Sequence, residues 1–278
     1  MKMKRIDTNA PIELVPKLSA NSFFHFMNER QFLYTALVKK ALFPRYCKED
    51  ISYLGLSIED NGIDEVAYPE KCFCDIPLHE VCSHVNTYGK FGIGLKKSWG
   101  IKAGLQPIQY VNPDSSLVAD FKTAFYASLK SENADNNIEK VKDFLVSYML
   151  FIKPVTGTNE NRISGQLEEK YFTDECEWRY VPNLSKKEME VILFGNAIYK
   201  NADGHTPLIE KYNIALGKLE DVWLRFEYSD LKYITVQNDI EKKLLIKFIS
   251  SMDNGTDEME KLDLISKIIV FDSVQEDF

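Results

Sequence analysis

The chain has no long apolar segment and few cysteines. No apolar run approaches the roughly 20 residues that a transmembrane helix needs. The basic start Met1–Arg5 is followed by Asp7, Asn9 and Pro11, where a signal peptide would carry its apolar core. Five cysteines in 278 residues is an odd count that is not typical of a disulfide framework. We therefore expect a cytoplasmic protein without a membrane anchor.

The signatures of two common enzyme classes are also missing. The cluster Gly89, Gly92 and Gly94 lacks the Lys-Ser/Thr of a phosphate-binding P-loop. No nucleophile elbow of a Ser-His-Asp hydrolase is present. We interpret the three glycines as positions in a bulged strand, with a phosphate cradle as the alternative.

There is no excess of positive charge. The 34 Lys and Arg residues against 42 Asp and Glu residues give a formal net charge of −8. This charge repels nucleic-acid phosphates, and Lys96, Lys97 and Lys102 could offset it only locally. Nucleic acid is therefore expected as an acceptor substrate at most, and not as a tightly bound partner.

What is present is a mixture of helical and strand patterns. The length favours one large domain or two small ones. Apolar spacing and capping residues predict helices that start near Asn28, Ser116, Asn137, Ser185 and Asp239. The predicted strands are Tyr53–Ile58, Lys71–Ile76, Phe91–Lys96, Ile108–Val111, Glu175–Val181, Val222–Tyr228, Tyr233–Val236 and Lys267–Phe271. Because no regular βαβ alternation occurs, the pattern indicates an α+β fold. The polar stretch Thr156–Glu169 has no apolar period and is predicted to be a long surface loop.

Cys72, Cys74, Cys82 and His84 form a Cys-x-Cys … Cys-x-His set that could hold zinc. The first spacing is shorter than the usual Cys-x2-4-Cys of structural zinc sites. The commoner explanation is that the thiols pack as small apolar groups. We therefore predict no metal here.

Two other patterns suggest a ligand site. His25, within the run Phe23–Phe26, offers one donor and one acceptor that could bind a ribose hydroxyl. The alternation of Glu175, Glu177 and Arg179 places the three side chains on one face of a strand. That face is either a solvated charged surface or a carboxylate aimed into a cleft, where it could stabilise a developing oxocarbenium ion.

With these segments in view, the chain resembles the AbiGi family of abortive phage infection proteins. The matching stretches are Phe24–Phe26, Leu42–Tyr46, Cys72–Leu78, His84, Tyr88–Leu95, Glu175–Arg179, Ser266–Ile269 and Glu276–Phe278. They cover nearly the whole chain in order, which implies a single domain over residues 1–278. The resemblance implies a phage-defence role, as the antitoxin of a toxin–antitoxin pair with a cognate partner protein.

A more distant resemblance is to ADP-ribosyltransferases, on the early Phe-His-Phe strand, the middle tyrosine and the late Glu-x-Glu strand. It implies a mixed, mostly antiparallel split sheet flanked by helices, with NAD as the substrate. His25 would hold a ribose hydroxyl of NAD, Tyr88 would stack on nicotinamide, and Arg45 and His84 would also contact NAD. Glu177 would be the catalytic carboxylate, assisted by Glu175. The usual Ser/Thr strand motif of these enzymes is absent.

Three hypotheses follow. A transferase of ADP-ribose from NAD to a protein or nucleic-acid acceptor requires His25, Tyr88 and Glu177 to meet in one cleft. A non-catalytic antitoxin that binds its toxin predicts an exposed apolar or charged patch and no such cleft. A zinc-stabilised binding module requires its ligand atoms within ~2.3 Å of one metal.

Overall fold

The computed structural model describes residues 20–58, 61–129, 136–195, 198 and 207–277. The basic start Met1–Arg5 and the terminal Phe278 lie outside the described residues. The helices are α1 (Arg30–Lys39), α2 (Cys82–Tyr88), α3 (Lys97–Lys102), α4 (Ser116–Leu129), α5 (Asn136–Met149), α6 (Leu208–Leu216), α7 (Asp239–Ser250), α8 (Glu258–Ser266) and α9 (Phe271–Asp277). The strands are β1 (Ser22–Met27), β2 (Ala41–Leu42), β3 (Arg45–Asp50), β4 (Leu56–Ile58), β5 (Asn61–Ile63), β6 (Glu65–Cys74), β7 (Phe91–Lys96), β8 (Gln106–Pro107), β9 (Gln109–Val111), β10 (Ile152–Pro154), β11 (Thr156–Glu160), β12 (Leu167–Tyr171), β13 (Glu177–Tyr180), β14 (Leu193–Phe194), β15 (Leu224–Arg225), β16 (Leu231–Val236) and β17 (Ile268–Val270).

The described strands form one large mixed sheet and four two-stranded ladders. The order in the large sheet is β17-β16-β7-β1-β6-β13-β8, and β3 and β14 also pair with β6. Its pairs are antiparallel except for β16 with β17, which run parallel. The expected α+β class with a mixed, mostly antiparallel sheet is confirmed.

The ladder of β6 has a gap that matters for the site. β1 pairs with β7 along its whole length but meets β6 only where Phe24 lies opposite Cys74. β3 pairs with β6 from Glu65 to Glu70. Between these two pairings, the carbonyl of Cys72 accepts a hydrogen bond from the His25 ring, with Nδ1 2.8 Å away. A side chain therefore takes the place of a strand N–H at this point.

The two faces of the sheet carry different cores. On one face, apolar side chains of α1, α7 and α8 pack on β1, β7 and β16, with Leu37, Ile93 and Leu245 fully buried. On the other face, α2 covers the Phe24 and Phe26 rings, and the α4–α5 hairpin covers the start of β6. The charged groups described below lie on this second face.

The strongly periodic elements occur where the sequence predicts them. The helices near Ser116, Asn137 and Asp239 are α4, α5 and α7, and Asn238 caps α7 by accepting from the Glu241 N–H at 3.0 Å. Strand Phe91–Lys96 is β7 as predicted. The glycines of β7 make room for aromatic rings, because a Cβ at Gly94 would lie 2.8 Å from the Phe24 ring. None of the described helices has the length and apolar character needed to cross a bilayer.

Three sequence predictions are wrong. The stretch Thr156–Glu169 is not an irregular loop, because it forms most of the β11–β12 hairpin, whose polar side chains carry no apolar period. No helix follows Ser185, since its N–H bonds the Asn183 side chain at 2.9 Å and closes a turn instead. The strand predicted from Val222 to Tyr228 shortens to Leu224–Arg225, with 3₁₀ turns on both sides.

Two boundaries also differ from prediction. Residues Ser52–Leu54 form a 3₁₀ turn ahead of β4, where a continuous strand was expected. Helix α1 begins at Arg30 without a side-chain cap, so the capping role predicted for Asn28 is wrong.

Candidate functional site

Two buried carboxylates bind one lysine at the start of β13. Glu175 ends a 3₁₀ turn and Glu177 begins the strand, with Cys176 between them in a left-handed conformation (φ +43°). Lys153 Nζ of β10 lies 2.9 Å from Glu175 Oε2 and 3.2 Å from Glu177 Oε2. The prediction of one shared strand face therefore holds for Glu177 and Arg179 but is wrong for Glu175, which reaches the site from a turn.

Arg179 forms ion pairs with three carboxylates. Its guanidinium is fully buried and lies 2.8 Å from Glu70 Oε2, 2.8 Å from Glu177 Oε1 and 3.5 Å from Glu49 Oε2. It also donates to the Leu150 carbonyl at 2.7 Å and to the Tyr68 hydroxyl. The alternative of a solvated charged face is therefore wrong, because Glu175 and Glu177 are only 5% and 6% exposed.

The charges of this network stabilise one another. Burial alone would raise the pKa of Glu177, but Arg179 and Lys153 outweigh it and hold the pKa below its ordinary value. The pKa of Glu175 is lowered as well, since Lys153 and Lys170 outweigh its burial. Burial acts against the Lys153 ammonium, but Glu177, Glu49 and Glu175 raise its pKa. Both carboxylates are therefore ionised at neutral pH.

Cys72 lies between Glu70 and Glu177, and the three ligand atoms are within 4.8 Å of one another. Burial, followed by the charges of Glu177 and Glu70, raises the pKa of the Cys72 thiol, so the thiol is protonated. The positive charge beside these three groups comes from Arg179, which pairs with both Glu70 and Glu177. The described ligand groups thus form a cluster that the sequence did not predict.

The candidate zinc ligands Cys72, Cys74 and His84 do not form a metal-binding group among the described residues. Cys74 packs with Phe24 and Phe26 in an apolar cluster. The buried His84 ring on α2 hydrogen-bonds the Glu175 backbone, and burial lowers its pKa. The side chain of Cys82 lies outside the described part of the chain. The packing of Cys74 fits the interpretation as a small apolar group.

Tyr88 and the β11–β12 hairpin cover the Glu175 side of the site. The Tyr88 hydroxyl donates to Glu175 Oε1 and accepts from Lys170 Nζ at 3.0 Å, and Lys170 lies 2.5 Å from Glu175 Oε1. Burial and then the Glu175 charge raise the pKa of Tyr88, so the phenol keeps its proton. The Arg162 backbone N–H donates to the Thr87 carbonyl at 3.0 Å, and its guanidinium lies 5.4 Å from the centre of the Tyr88 ring.

The His25 imidazole is held in one tautomer. Since the Cys72 carbonyl can only accept, Nδ1 carries the hydrogen, and the other ring nitrogen, Nε2, is an acceptor. Lys71 Nζ lies 3.4 Å from Nε2. Burial, and then the Lys71 charge, lowers the pKa of His25, so the ring is neutral.

These groups line a cleft of about 450 Å³. Its lining includes five of the six residues predicted for a ligand site, namely His25, His84, Tyr88, Glu175 and Glu177. The sixth, Arg45, is exposed on β3, with Nη2 3.7 Å from Glu210 Oε2. The assignment of these residues to NAD stays a prediction.

Several residues of the cleft were missed by the sequence analysis. Four of them line the cleft, namely Glu49, Glu70, Lys153 and Arg162. Three more contact lining residues, namely Lys71, Lys170 and, as a charge hub, Arg179. A signal for some of them exists, because Glu70 and Lys71 interrupt an otherwise apolar strand. Charged residues at such positions are seldom buried unless they are paired.

Comparisons with known proteins agree on one family. The family model described as "Putative abortive phage resistance protein AbiGi, antitoxin" matches residues 40–237. A protein of Lactococcus lactis subsp. cremoris, "Abortive phage resistance protein AbiGi", is 34% identical over 256 residues, which are 86% of this chain and 100% of the relative. No solved structure matches, so an ADP-ribosyltransferase-like fold has no structural neighbour to support it. The resemblance seen in the sequence is confirmed, and the chain belongs to the AbiGi family of abortive phage resistance proteins.

Proposed function

We propose that this protein is the antitoxin of a phage-defence pair and neutralises a partner toxin by binding it directly. The observation that carries the proposal is the family match over residues 40–237, whose description names an antitoxin. The full-length coverage of the Lactococcus relative supports a role in abortive infection. Neutralisation by binding needs a surface for the partner, and the α4–α5 hairpin offers one.

An exposed apolar and aromatic stripe lies on α5, among charged residues. Val141 and Phe144 are 49% and 62% exposed. The Phe144 ring stacks on Tyr148 with centroids 5.8 Å apart, and Tyr148 packs on Phe121 of α4 at 6.1 Å. Exposed aromatic side chains on a supported helix are typical of residues that dominate binding energy in interfaces. This stripe also lies inside the segment that the family model matches.

Replacing Val141 and Phe144 together by aspartate is therefore expected to abolish neutralisation. Loss of an interface hot spot of about 2 kcal/mol weakens a complex roughly thirtyfold. The measurement is co-purification with the candidate toxin, together with growth of cells that express both proteins. The matched control replaces Ile240 and Leu244 of α7 by aspartate, since both are exposed but lie outside residues 40–237. Equal binding by both double variants would rule out the α5 stripe, and no complex with the wild type would rule out neutralisation by binding.

A second candidate function is ADP-ribose transfer from NAD, favoured by one observation. His25, Tyr88 and Glu177 all line one cleft, as that chemistry requires, whereas a binding-only antitoxin predicts none. In such a transfer the bond from ribose C1′ to the nicotinamide nitrogen breaks, and nicotinamide leaves with the bonding pair. The acceptor nucleophile then supplies a pair to C1′ and gives its proton to a base. The ionised Glu177 carboxylate would stabilise the positive charge that develops on the ribose.

The residues fit this second role in part. The cleft volume lies within the range of small-molecule sites. The negative charge of Glu177, however, is already shared between Arg179 and Lys153. The Tyr88 hydroxyl and both His25 nitrogens also have partners within the protein. NAD would therefore have to displace Lys71 from His25 before that ring could hold a ribose hydroxyl.

Nicotinamide release from NAD tests this candidate. If the protein consumes NAD, Glu177→Gln is expected to lower the release rate by ~100-fold or more, because the amide keeps the shape of the carboxylate without its charge. Circular dichroism of the variant controls for folding. Absence of both binding and turnover by the wild type, with cell extract supplied as a source of acceptor, would exclude the transferase.

A further inference from the structure

Most cations around the cleft are paired with carboxylates, but two are not. Lys153, Lys170 and Arg179 each lie within 3.2 Å of at least one glutamate oxygen. For Lys71 and Arg162, no carboxylate among the described residues lies within 4.0 Å. Lys71 is half-buried, so its positive charge is partly removed from water, whereas Arg162 is exposed. Lys71 contacts the cleft residue His25 and Arg162 itself lines the cleft, so two cations without a carboxylate partner lie where an anion could bind.

Lys71 is half-buried at the gap in the β6 ladder. Its ammonium lies 3.4 Å from His25 Nε2, which accepts a hydrogen bond but brings no negative charge. Burial lowers the pKa of Lys71 to about 8, and the charges of Arg162 and Arg45 act in the same direction. The Lys71 ammonium is therefore influenced by the positive charges of both arginines.

Arg162 lies on the segment that joins β11 to β12 and lines the same cleft as His25. Its backbone is fixed by the bond to the Thr87 carbonyl, and its guanidinium rests on the Tyr88 ring. Stacking on a ring face leaves the guanidinium edge for bidentate binding. Arg45 lies on β3 opposite Glu70, the chain neighbour of Lys71, and its contact with Glu210 is a loose and exposed one at 3.7 Å.

We propose that Lys71 and Arg162, assisted by Arg45, form a binding site for a phosphate group beside His25. A phosphate carries up to two negative charges and several acceptor oxygens, which suits two guanidinium groups and an ammonium. The remainder of the cleft leaves room for an organic group attached to the phosphate. Free phosphate and a nucleoside diphosphate share this chemistry. The site does not depend on either function proposed above.

Calorimetric titration of the purified protein with inorganic phosphate and, separately, with ADP tests the site. We expect saturable binding of at least one of the two anions. Loss of one charge-assisted hydrogen-bonding group is worth about tenfold in affinity, so Lys71→Gln and Arg162→Gln should each weaken binding roughly tenfold or more. Tighter binding of ADP than of phosphate identifies a phosphorylated organic ligand, and equal binding identifies the free anion.

The controls separate this site from general attraction of anions. Lys243→Gln on the exposed surface of α7 removes the same charge and should leave the affinity unchanged. Lys71→Arg keeps the charge and should retain more affinity than Lys71→Gln. Thermal unfolding establishes that each variant is folded. No saturable binding of either anion, or equal loss in Lys71→Gln and Lys243→Gln, would overturn the proposal, whatever the outcome of the toxin and NAD experiments.

Discussion

Arg179→Met is expected to lower the free energy of unfolding by ~3–5 kcal/mol, enough to leave much of a typical domain unfolded. The reason is that Arg179 is fully buried and is shared by three carboxylates, Glu49, Glu70 and Glu177. Without the guanidinium, these charges would stay in the interior with only Lys153 nearby. Urea denaturation followed by circular dichroism measures the loss.

Two comparisons make the result specific to the buried network. Arg225→Met removes an exposed arginine that lies 3.0 Å from Glu220, and should change stability by less than ~1 kcal/mol. Adding Glu70→Gln and Glu177→Gln to Arg179→Met removes the stranded charges and should recover part of the loss. A single variant within 1 kcal/mol of the wild type would show that the guanidinium does not compensate these carboxylates.

The second large effect is a loss of stability in acid that depends on Glu177. Burial alone would raise the pKa of Glu177. The charges of Arg179 and Lys153 have the larger effect, so the pKa lies below the ordinary 4.5. The folded state therefore binds this proton more weakly than the unfolded state. The stabilisation is complete above pH 4.5 and is lost as the pH falls below it. Because one pKa unit corresponds to ~1.4 kcal/mol, a pKa of about 2 in place of 4.5 makes the effect on the order of 3 kcal/mol.

Glu70 acts in the opposite direction and in another pH window. Burial, with Glu49 and Glu177, raises its pKa above 4.5 although Arg179 opposes the shift. The folded state therefore binds the Glu70 proton more tightly than the unfolded state. This stabilisation is complete below pH 4.5 and is lost as the pH rises toward neutrality. Urea unfolding at a series of pH values should show a flatter curve below pH 4.5 for Glu177→Gln and a flatter curve above it for Glu70→Gln. Identical curves for both variants and the wild type would contradict these assignments.

The sequence carries the local part of the site but not its assembly. Alternation of Glu177 and Arg179 is a strand pattern, and it correctly places both side chains on one face. Glu175, two residues earlier, follows the same pattern but lies in a turn, because Cys176 adopts a left-handed conformation that the period does not reveal. Lys153 and Lys170 come from short strands, where one charged residue looks like any other exposed position.

The fold was predictable to a similar extent. Helices α4, α5 and α7 have long apolar faces and occur where expected. The hairpin β11–β12 has polar side chains on both faces, so neither a helical nor a strand period marks it. The gap in the β6 ladder depends on where β1 and β3 end, which is a matter of pairing between distant segments. No single-sequence pattern reports such pairings.

One carboxylate, Glu175, links the two ends of the β11–β12 hairpin, in addition to the bond from the Arg162 backbone to Thr87. Lys153 precedes it and Lys170 lies near its end, and both ammonium groups bind Glu175. Glu175 therefore closes the chain segment between them much as a disulfide closes a loop, by removing conformations from that segment. Unlike a disulfide, this closure consists of ion pairs, which burial protects from screening by salt but which depend on the charge of Glu175. Neutralising Glu175 would thus remove this closure while every covalent bond of the chain stays in place.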